Sequence, residues 1–239
     1  MWRKLIIPVE LAAIFLSLNF VGVKSEPVQL SNLVNLNSDE GEKLLFESQA
    51  REDYIPLSVH FVTQDNLAYC GVASIAMVLN ALAVNPPKTP EYRNYRLFTQ
   101  KNFFSNPETQ KILKPEVVAR GGMTLEQLGQ LLESYPVQVE VYYGKDVTLA
   151  EFRRLIVQNL QEDHNFVLVN YLRKTIGQER GGHISPIAAY HKSSDRFLIL
   201  DVSRYKYPPI WVKATDLWQA INTIDSTSGK TRGFVLISQ

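Results

Sequence analysis

Cys70 is the only cysteine among the 239 residues, and its surroundings fit nucleophilic chemistry. Apolar residues recur after it at positions 72, 75, 76, 79 and 82, which is the stripe of a buried amphipathic helix. Asn85 and the two prolines after it end that helix. Cys70 is therefore predicted at a helix N-terminus, where unpaired N–H groups and the helix dipole stabilise a thiolate.

Three further residues complete a candidate acyl-transfer site. Gln64 lies six residues before Cys70, and its amide N–H with the Cys70 backbone N–H would form a two-donor oxyanion hole. His183 follows two glycines, and Asp201 ends a strand eighteen residues later. A nucleophile on an early helix, a base on a later strand and an orienting residue one strand further on is the order found in papain-type enzymes.

Three segments resemble the phytochelatin synthase family. The nucleophile helix reads YCGVAS at 69–74 and MVLNAL at 77–82. The histidine segment reads GGHISPI at 181–187, and the aspartate segment reads LILDVSRYKYPP at 198–209. The resemblance covers roughly residues 54–221 and is to the short bacterial members that carry the catalytic domain alone. It implies a papain-like, two-lobed α+β fold, with the nucleophile in a helical lobe and the histidine and aspartate in an antiparallel sheet lobe.

The resemblance also implies the reaction and its residues. The substrate would be glutathione, whose glycine is released while Cys70 holds a γ-glutamylcysteinyl thioester. Water or a second glutathione would then accept the acyl group, giving γ-glutamylcysteine or a phytochelatin. Cys70, His183, Asp201 and Gln64 would be the catalytic residues. Three substrate-binding candidates are predicted: Tyr69 beside the nucleophile, and Arg173 and Arg232, either of which could hold the γ-glutamyl carboxylate.

Composition limits the partners and cofactors. The net charge of +1 argues against nucleic acid. A single cysteine excludes an internal disulfide and a multi-thiolate metal site, and the remaining histidines lack metal-ligand spacing. We expect no required cofactor and no protein-bound metal, with ions such as cadmium acting as glutathione thiolates. Longer eukaryotic members carry a cysteine-rich C-terminal extension, whereas this sequence ends at Gln239 without one; hydrolysis is therefore expected to dominate. A homodimer is possible.

The N-terminus has the character of a targeting segment. Residues 1–4 are basic, residues 11–21 are apolar, and Glu10 interrupts the apolar run, so a stable membrane span is not expected. Residues 1–25 are interpreted as a signal peptide cleaved near residues 23–25, or else as an uncleaved anchor. Export to the periplasm is the prediction, and a cytoplasmic protein associated with the membrane is the alternative. Residues 26–50 would form a linker and helix, and residues 51–239 the catalytic domain.

The remaining periodicity separates a helical half from a sheet half. Residues 40–50 have helical character, and residues 54–57 are predicted as an extended arm. Capping boxes at Thr124 and Thr148 open two further helices. Strands are predicted at 137–143, 166–172, 183–191, 196–201 and 233–237, with a short helix at 216–222. This is α+β architecture with a cleft between the halves.

Two other functions stay open at this stage. An exported cysteine peptidase of the double-glycine leader type has a comparable Gln…Cys-Gly start, but it would need an extended groove for a peptide. A non-catalytic binding domain would keep Cys70 as an inert core thiol, which is common for a lone cysteine. An active-site thiol alkylates quickly at neutral pH, whereas a buried core thiol does not.

Overall fold

The structure is a computed structural model that describes residues 33–89 and 92–239. The predicted signal peptide or anchor at 1–25, and the linker up to residue 32, lie outside the described residues. Within the described ranges, no helix combines the length and apolar character needed to cross a membrane.

Eight α-helices are found in the described part of the chain. Both predicted capping boxes are present, since Thr124 with Gln127 opens one helix and Thr148 with Glu151 opens another. The helices are α1 (Asp39–Glu47), α2 (Tyr54–Val59), α3 (Cys70–Ala81), α4 (Pro107–Ile112), α5 (Pro115–Gly121), α6 (Leu125–Glu133), α7 (Leu149–Asn159) and α8 (Ala214–Ile221).

Seven strands of the described residues form one antiparallel sheet. They are β1 (Val34–Asn35), β2 (Gln138–Tyr143), β3 (Asn165–Leu172), β4 (Gly182–His191), β5 (Arg196–Ile199), β6 (Ile210–Lys213) and β7 (Gly233–Ser238). Their order is β1-β6-β5-β4-β3-β7-β2, and every pairing is antiparallel. The α+β prediction is confirmed.

Helices cover both faces of this sheet, so its central strands are buried on both sides. Leu168 and Ile184 of β3 and β4 face a core built from α3 and α6. The alternate residues of the same strands, such as Val167 and Ile187, face a second core with α7 and α8. Helix α3, which carries the nucleophile, therefore packs directly on β4, the strand that carries His183.

One local prediction was wrong, and one strand was missed. Residues 54–57 do not form an extended arm but begin α2. Pro56 lies in the first turn of that helix, where the backbone N–H that proline lacks would have no intrahelical partner. Strand β6 was not predicted, although it pairs with β5 in the register Leu198↔Trp211. Trp211 is fully buried, so tertiary packing rather than a local pattern marks this strand.

Candidate active site

Cys70 is the first residue of α3 and is only partly exposed. Residues 71–79 behind it are all buried, which fixes the helix in the core. The Ser74 hydroxyl lies 2.8 Å from the Cys70 carbonyl oxygen and 3.2 Å from that of Ile184 on β4. This hydroxyl ties the first turn of the nucleophile helix to the strand that carries His183.

Strand pairing sets the position of His183. In the β3–β4 ladder His183 is opposite Tyr171, and the two rings meet edge to face with centroids 5.7 Å apart. His183 Nε2 lies 2.9 Å from Asp201 Oδ1 and 2.9 Å from the Ser185 hydroxyl. With Nε2 used in this way, Nδ1 is the ring nitrogen that remains for the Cys70 thiol.

The Cys70–His183 contact shifts both pKa values toward the charged pair. Burial on its own would raise the pKa of the Cys70 thiol, but the hydrogen bond and charge of His183, together with backbone hydrogen bonds from Ile184 and Gly71, lower that pKa below its usual value. Burial likewise disfavours a charged His183, yet its hydrogen bonds to Asp201 and Cys70 raise its pKa. The arrangement therefore favours a thiolate facing an imidazolium, which is the nucleophilic state of a cysteine acyltransferase.

Asp201 is fully buried and is surrounded by donors. Its carboxylate accepts three hydrogen bonds. They come from Arg173 Nη1 at 2.7 Å, Arg173 Nη2 at 2.9 Å and the backbone N–H of Ser203 at 2.8 Å. Burial would raise the pKa of Asp201, but His183 and Arg173 hold that pKa well below its usual range. Asp201 is therefore ionised at neutral pH and can stabilise the His183 imidazolium.

The sequence analysis predicted Arg173 as an arginine that could bind substrate in the cleft. In the structure its guanidinium is already bound to other side chains of the protein. It is buried, and both of its terminal nitrogens are bound to Asp201. It also donates to Gln178 and lies over the ring of Tyr207, 4.7 Å from the centroid. This geometry favours a role in holding Asp201. Direct binding of substrate by Arg173 stays a prediction.

Gln64 is held beside the Asp201 segment. Its backbone N–H donates to Val202 O at 2.9 Å, and its Oε1 accepts from the Ser203 hydroxyl at 2.7 Å. Its Nε2 donates to Asn66 O at 2.6 Å, which leaves the second Nε2 hydrogen for another acceptor. These bonds hold the loop that carries Gln64 against Val202 and Ser203, directly after Asp201. The role of Gln64 as an oxyanion donor stays a prediction.

Arg232 lines a cleft of about 530 Å³ together with Cys70 and His183. Its Nη1 donates to Asn170 Oδ1 at 3.0 Å, Nη2 lies 3.7 Å from Asp225 Oδ1, and Nε has no hydrogen-bond partner among the described residues. Burial lowers the pKa of this guanidinium. Asn170 and Asp225 also line the cleft, although the sequence analysis missed both. Antiparallel pairing of β3 with β4 and β7 brings Asn170 into the cleft. The spacing of Asn170 and Asp225 in the sequence gave no indication that the two residues lie close together.

Tyr69 precedes the nucleophile, but its hydroxyl donates to Pro115 O at 3.3 Å and its ring packs against Phe104. Burial raises its pKa. These contacts hold the Tyr69 side chain on the helical lobe, and its predicted contact with substrate stays a prediction.

Across residues 33–89 and 92–239, no group of three or more His, Cys, Asp or Glu side chains is placed to hold a metal ion. Of the other histidines, His191 satisfies local contacts, with Nδ1 2.8 Å from the Ser194 hydroxyl and Nε2 3.5 Å from Glu47.

Comparison with known proteins identifies the family of the chain. The sequence profile of the family described as phytochelatin synthase matches residues 23–234. The chain belongs to the phytochelatin synthase family.

Curated relatives carry the name glutathione gamma-glutamylcysteinyltransferase. Protein 1 of Lotus japonicus is 35% identical over 86% of this chain and 40% of its own length. The Schizosaccharomyces pombe protein is 30% identical over 78% of this chain and 43% of its own. The chain thus spans less than half the length of these relatives. The solved structure of the Prevotella intermedia interpain A cysteine protease aligns with 80% of this chain and 96% of its own. Its TM-score is 0.40 and its sequence identity is 12%, so this similarity supports no conclusion about fold or function.

Proposed function

We propose that this protein is a glutathione γ-glutamylcysteinyltransferase in which Cys70 cleaves the Cys–Gly peptide bond of glutathione. The observation that carries the proposal is the chain of contacts from the partly exposed Cys70 thiol through the buried His183 to the buried Asp201. The relatives named for this activity align over 78% to 86% of the present chain, and they support glutathione as the substrate.

The first half-reaction follows from the site. The Cys70 thiolate attacks the carbonyl carbon of the Cys–Gly bond, and the negative charge develops on its oxygen, near the Cys70 backbone N–H. His183 gives its proton to the leaving glycine nitrogen, the C–N bond breaks, and a thioester remains on Cys70. In the second half, neutral His183 takes a proton from water or from the amine of a second glutathione. That nucleophile then displaces the thiolate.

Arg232 and Asp225 offer a binding site for the γ-glutamyl end of the substrate. That end carries an α-carboxylate and an α-ammonium. The Arg232 guanidinium lies in the cleft, where it forms a long ion pair of 3.7 Å with Asp225 and donates to the neutral side chain of Asn170. The α-carboxylate of the substrate would bind Arg232 and its α-ammonium would bind Asp225, so that each charge has a partner of opposite sign.

Metal ions enter the proposal only through the substrate. The 239 residues contain one thiol, and it is the nucleophile, so cadmium would reach the site as a glutathione thiolate. Water and a second glutathione compete for the same thioester, and we propose that hydrolysis dominates. Export to the periplasm and a homodimer are also proposals; N-terminal sequencing of the mature protein and its mass in solution test them.

The deciding experiment incubates the purified protein with glutathione and follows glycine and γ-glutamylcysteine by mass spectrometry. Glycine should be released by the wild type, and Cys70→Ser should reduce the rate at least about a thousandfold because the thiolate is lost. Circular dichroism checks that the variant is folded, and a double-glycine leader peptide serves as the alternative substrate. Undiminished turnover by Cys70→Ser, or cleavage of the leader peptide alone, would refute the proposal.

A further inference from the structure

Gln100 is a buried glutamine in the segment between α3 and α4, and its side-chain amide bonds to the loop that precedes the nucleophile. The backbone N–H of Asp65 donates to Gln100 Oε1 at 2.8 Å. Gln100 Nε2 donates to Thr63 O at 2.9 Å and to Asp65 Oδ1 at 3.1 Å, which uses both of its hydrogens. One side chain therefore holds the residues directly before and after Gln64.

Gln64 lies in a part of the chain whose position depends on such side-chain bonds. Residues 61–69, which the structure describes throughout, follow an irregular path between α2 and α3 and lack the repeated backbone bonds of a helix or strand. On one side of this loop, Gln64 bonds to Val202 through its backbone N–H and to Ser203 through Oε1. On the other side, Gln100 bonds to its two neighbours. Gln64 is 4% exposed and is thus held between two anchors.

The segment that carries Gln100 is itself fixed to the nucleophile helix. The side chain of Asn80, on α3, donates to Phe98 O at 3.0 Å and accepts from the Phe98 N–H at 2.8 Å. These bonds connect the Gln64 loop, through Gln100, to the same helix that begins at Cys70. The side-chain donor and the backbone donor of the predicted oxyanion hole are therefore positioned by one helix.

We propose that Gln100 is a positioning residue for Gln64. It fixes the loop so that the Gln64 amide is oriented toward the oxygen of the cleaved carbonyl before negative charge develops there, which is how a preorganised donor lowers the barrier. This inference rests on the proposed function and on the oxyanion role predicted for Gln64. Because that interaction forms in the transition state, losing its alignment should lower kcat and leave KM nearly unchanged.

Steady-state kinetics of glycine release tests the coupling between the two glutamines. Gln100→Met keeps the length of the side chain but removes all three bonds, and kcat should fall at least about fivefold with KM unchanged within about twofold. Gln64→Ala should lower kcat about a hundredfold, the cost of one oxyanion donor. Adding Gln100→Met to Gln64→Ala should lower kcat no further, because Gln100 acts through Gln64.

Asn106→Ala is the matched control for a purely structural role. The Asn106 amide likewise bonds to the backbone on two sides, since Nδ2 donates to Ser134 O at 3.0 Å and Oδ1 accepts from the Glu108 N–H at 3.0 Å. Its loss should lower the free energy of unfolding in urea, as should Gln100→Met. It should leave kcat unchanged, because Asn106 has no bond to the Gln64 loop.

The side-chain amide signals of Gln64 give a readout that needs no substrate. In a ¹⁵N nuclear magnetic resonance spectrum of glutamine-labelled protein, they are identified by their disappearance in Gln64→Ala. They should shift or broaden in Gln100→Met and stay in place in Asn106→Ala. If Gln100→Met does not fold, Gln100→Glu replaces it, since it keeps the acceptor for the Asp65 N–H but loses both donated bonds and places two carboxylates together.

Two results would overturn the proposal. One is an equal loss of kcat on adding Gln100→Met to the wild type and to Gln64→Ala. The other is an unchanged Gln64 amide signal in the folded Gln100 variant. A wild type that releases no glycine from glutathione would instead refute the proposed function, and the resonance measurement would still decide whether Gln100 positions Gln64.

Discussion

His183 Nε2 and Asp201 Oδ1 lie 2.9 Å apart, and both side chains are buried. The same carboxylate holds Arg173 in a two-pronged ion pair, so one buried anion serves two cations. Its second cation, Arg173, keeps Asp201 ionised and fixed when His183 becomes neutral during turnover. The imidazole is therefore oriented before substrate arrives.

The Cys70 thiolate should be detectable by its alkylation rate. Because His183 lowers the pKa of Cys70, iodoacetamide should react at neutral pH faster than with an ordinary thiol of pKa about 8.5. In His183→Ala the rate should fall at pH 7 and rise only as the pH approaches the value for an unassisted thiol. The urea-unfolded protein is the control, and a pH profile that His183→Ala leaves unchanged would contradict the pairing.

Asp201→Asn and Asp201→Ala should differ in their effect on catalysis but not in their effect on the free energy of unfolding. Asparagine can still orient the imidazole, so glycine release should fall less than in Asp201→Ala. Both changes leave the Arg173 charge buried without its carboxylate and should lower the free energy of unfolding by about 3 kcal/mol. Adding Arg173→Met to Asp201→Asn should restore stability but not activity. Urea denaturation and product assays measure the two effects, and wild-type activity in Asp201→Ala would show that another residue orients His183.

Arg232→Met should raise the KM for glutathione about tenfold or more, because a charge-assisted hydrogen bond to the substrate carboxylate is lost. Gly182→Ala should act in the same direction, since its β-carbon would displace the Arg232 guanidinium packed against Gly182. Arg154→Met, which removes an exposed arginine on α7, is the matched control. Steady-state kinetics with glutathione measures these KM values. An unchanged KM in Arg232→Met would show that another residue binds the substrate carboxylate.

Cadmium should not be required for glycine release, because the sequence has no thiol besides the nucleophile with which to bind it. γ-Glutamylcysteine should be the main product, and phytochelatin should grow as glutathione increases, because the thioester partitions between water and a bound acceptor. Mass spectrometry across a glutathione titration, with and without cadmium, measures this partition. Strict dependence on cadmium, or mainly phytochelatin at low glutathione, would contradict this prediction and reveal an acceptor site or a metal site on the protein.

The elements that carry the site were predictable because their signals are local. The apolar stripe after Cys70 and the capping residues Thr124 and Thr148 act within one helix, so neighbouring residues contain the information. The surroundings of Arg173 were not predictable in this way. It follows β3, and its contact with Asp201 depends on how that strand pairs in the sheet. The error at residues 54–57 has a similar origin, since α2 is stabilised by packing on α3 rather than by a strong helical pattern.

The partly exposed thiol of Cys70 is the single sulfhydryl group in the sequence, and it opens onto the cleft. A stoichiometric burst with a chromogenic disulfide would thus count competent molecules, one equivalent per functional site. A fluorophore attached there would occupy the same cleft and report on whether small molecules enter it. Preparations of the protein can in this way be standardised by active-site titration, independently of how fast they turn over.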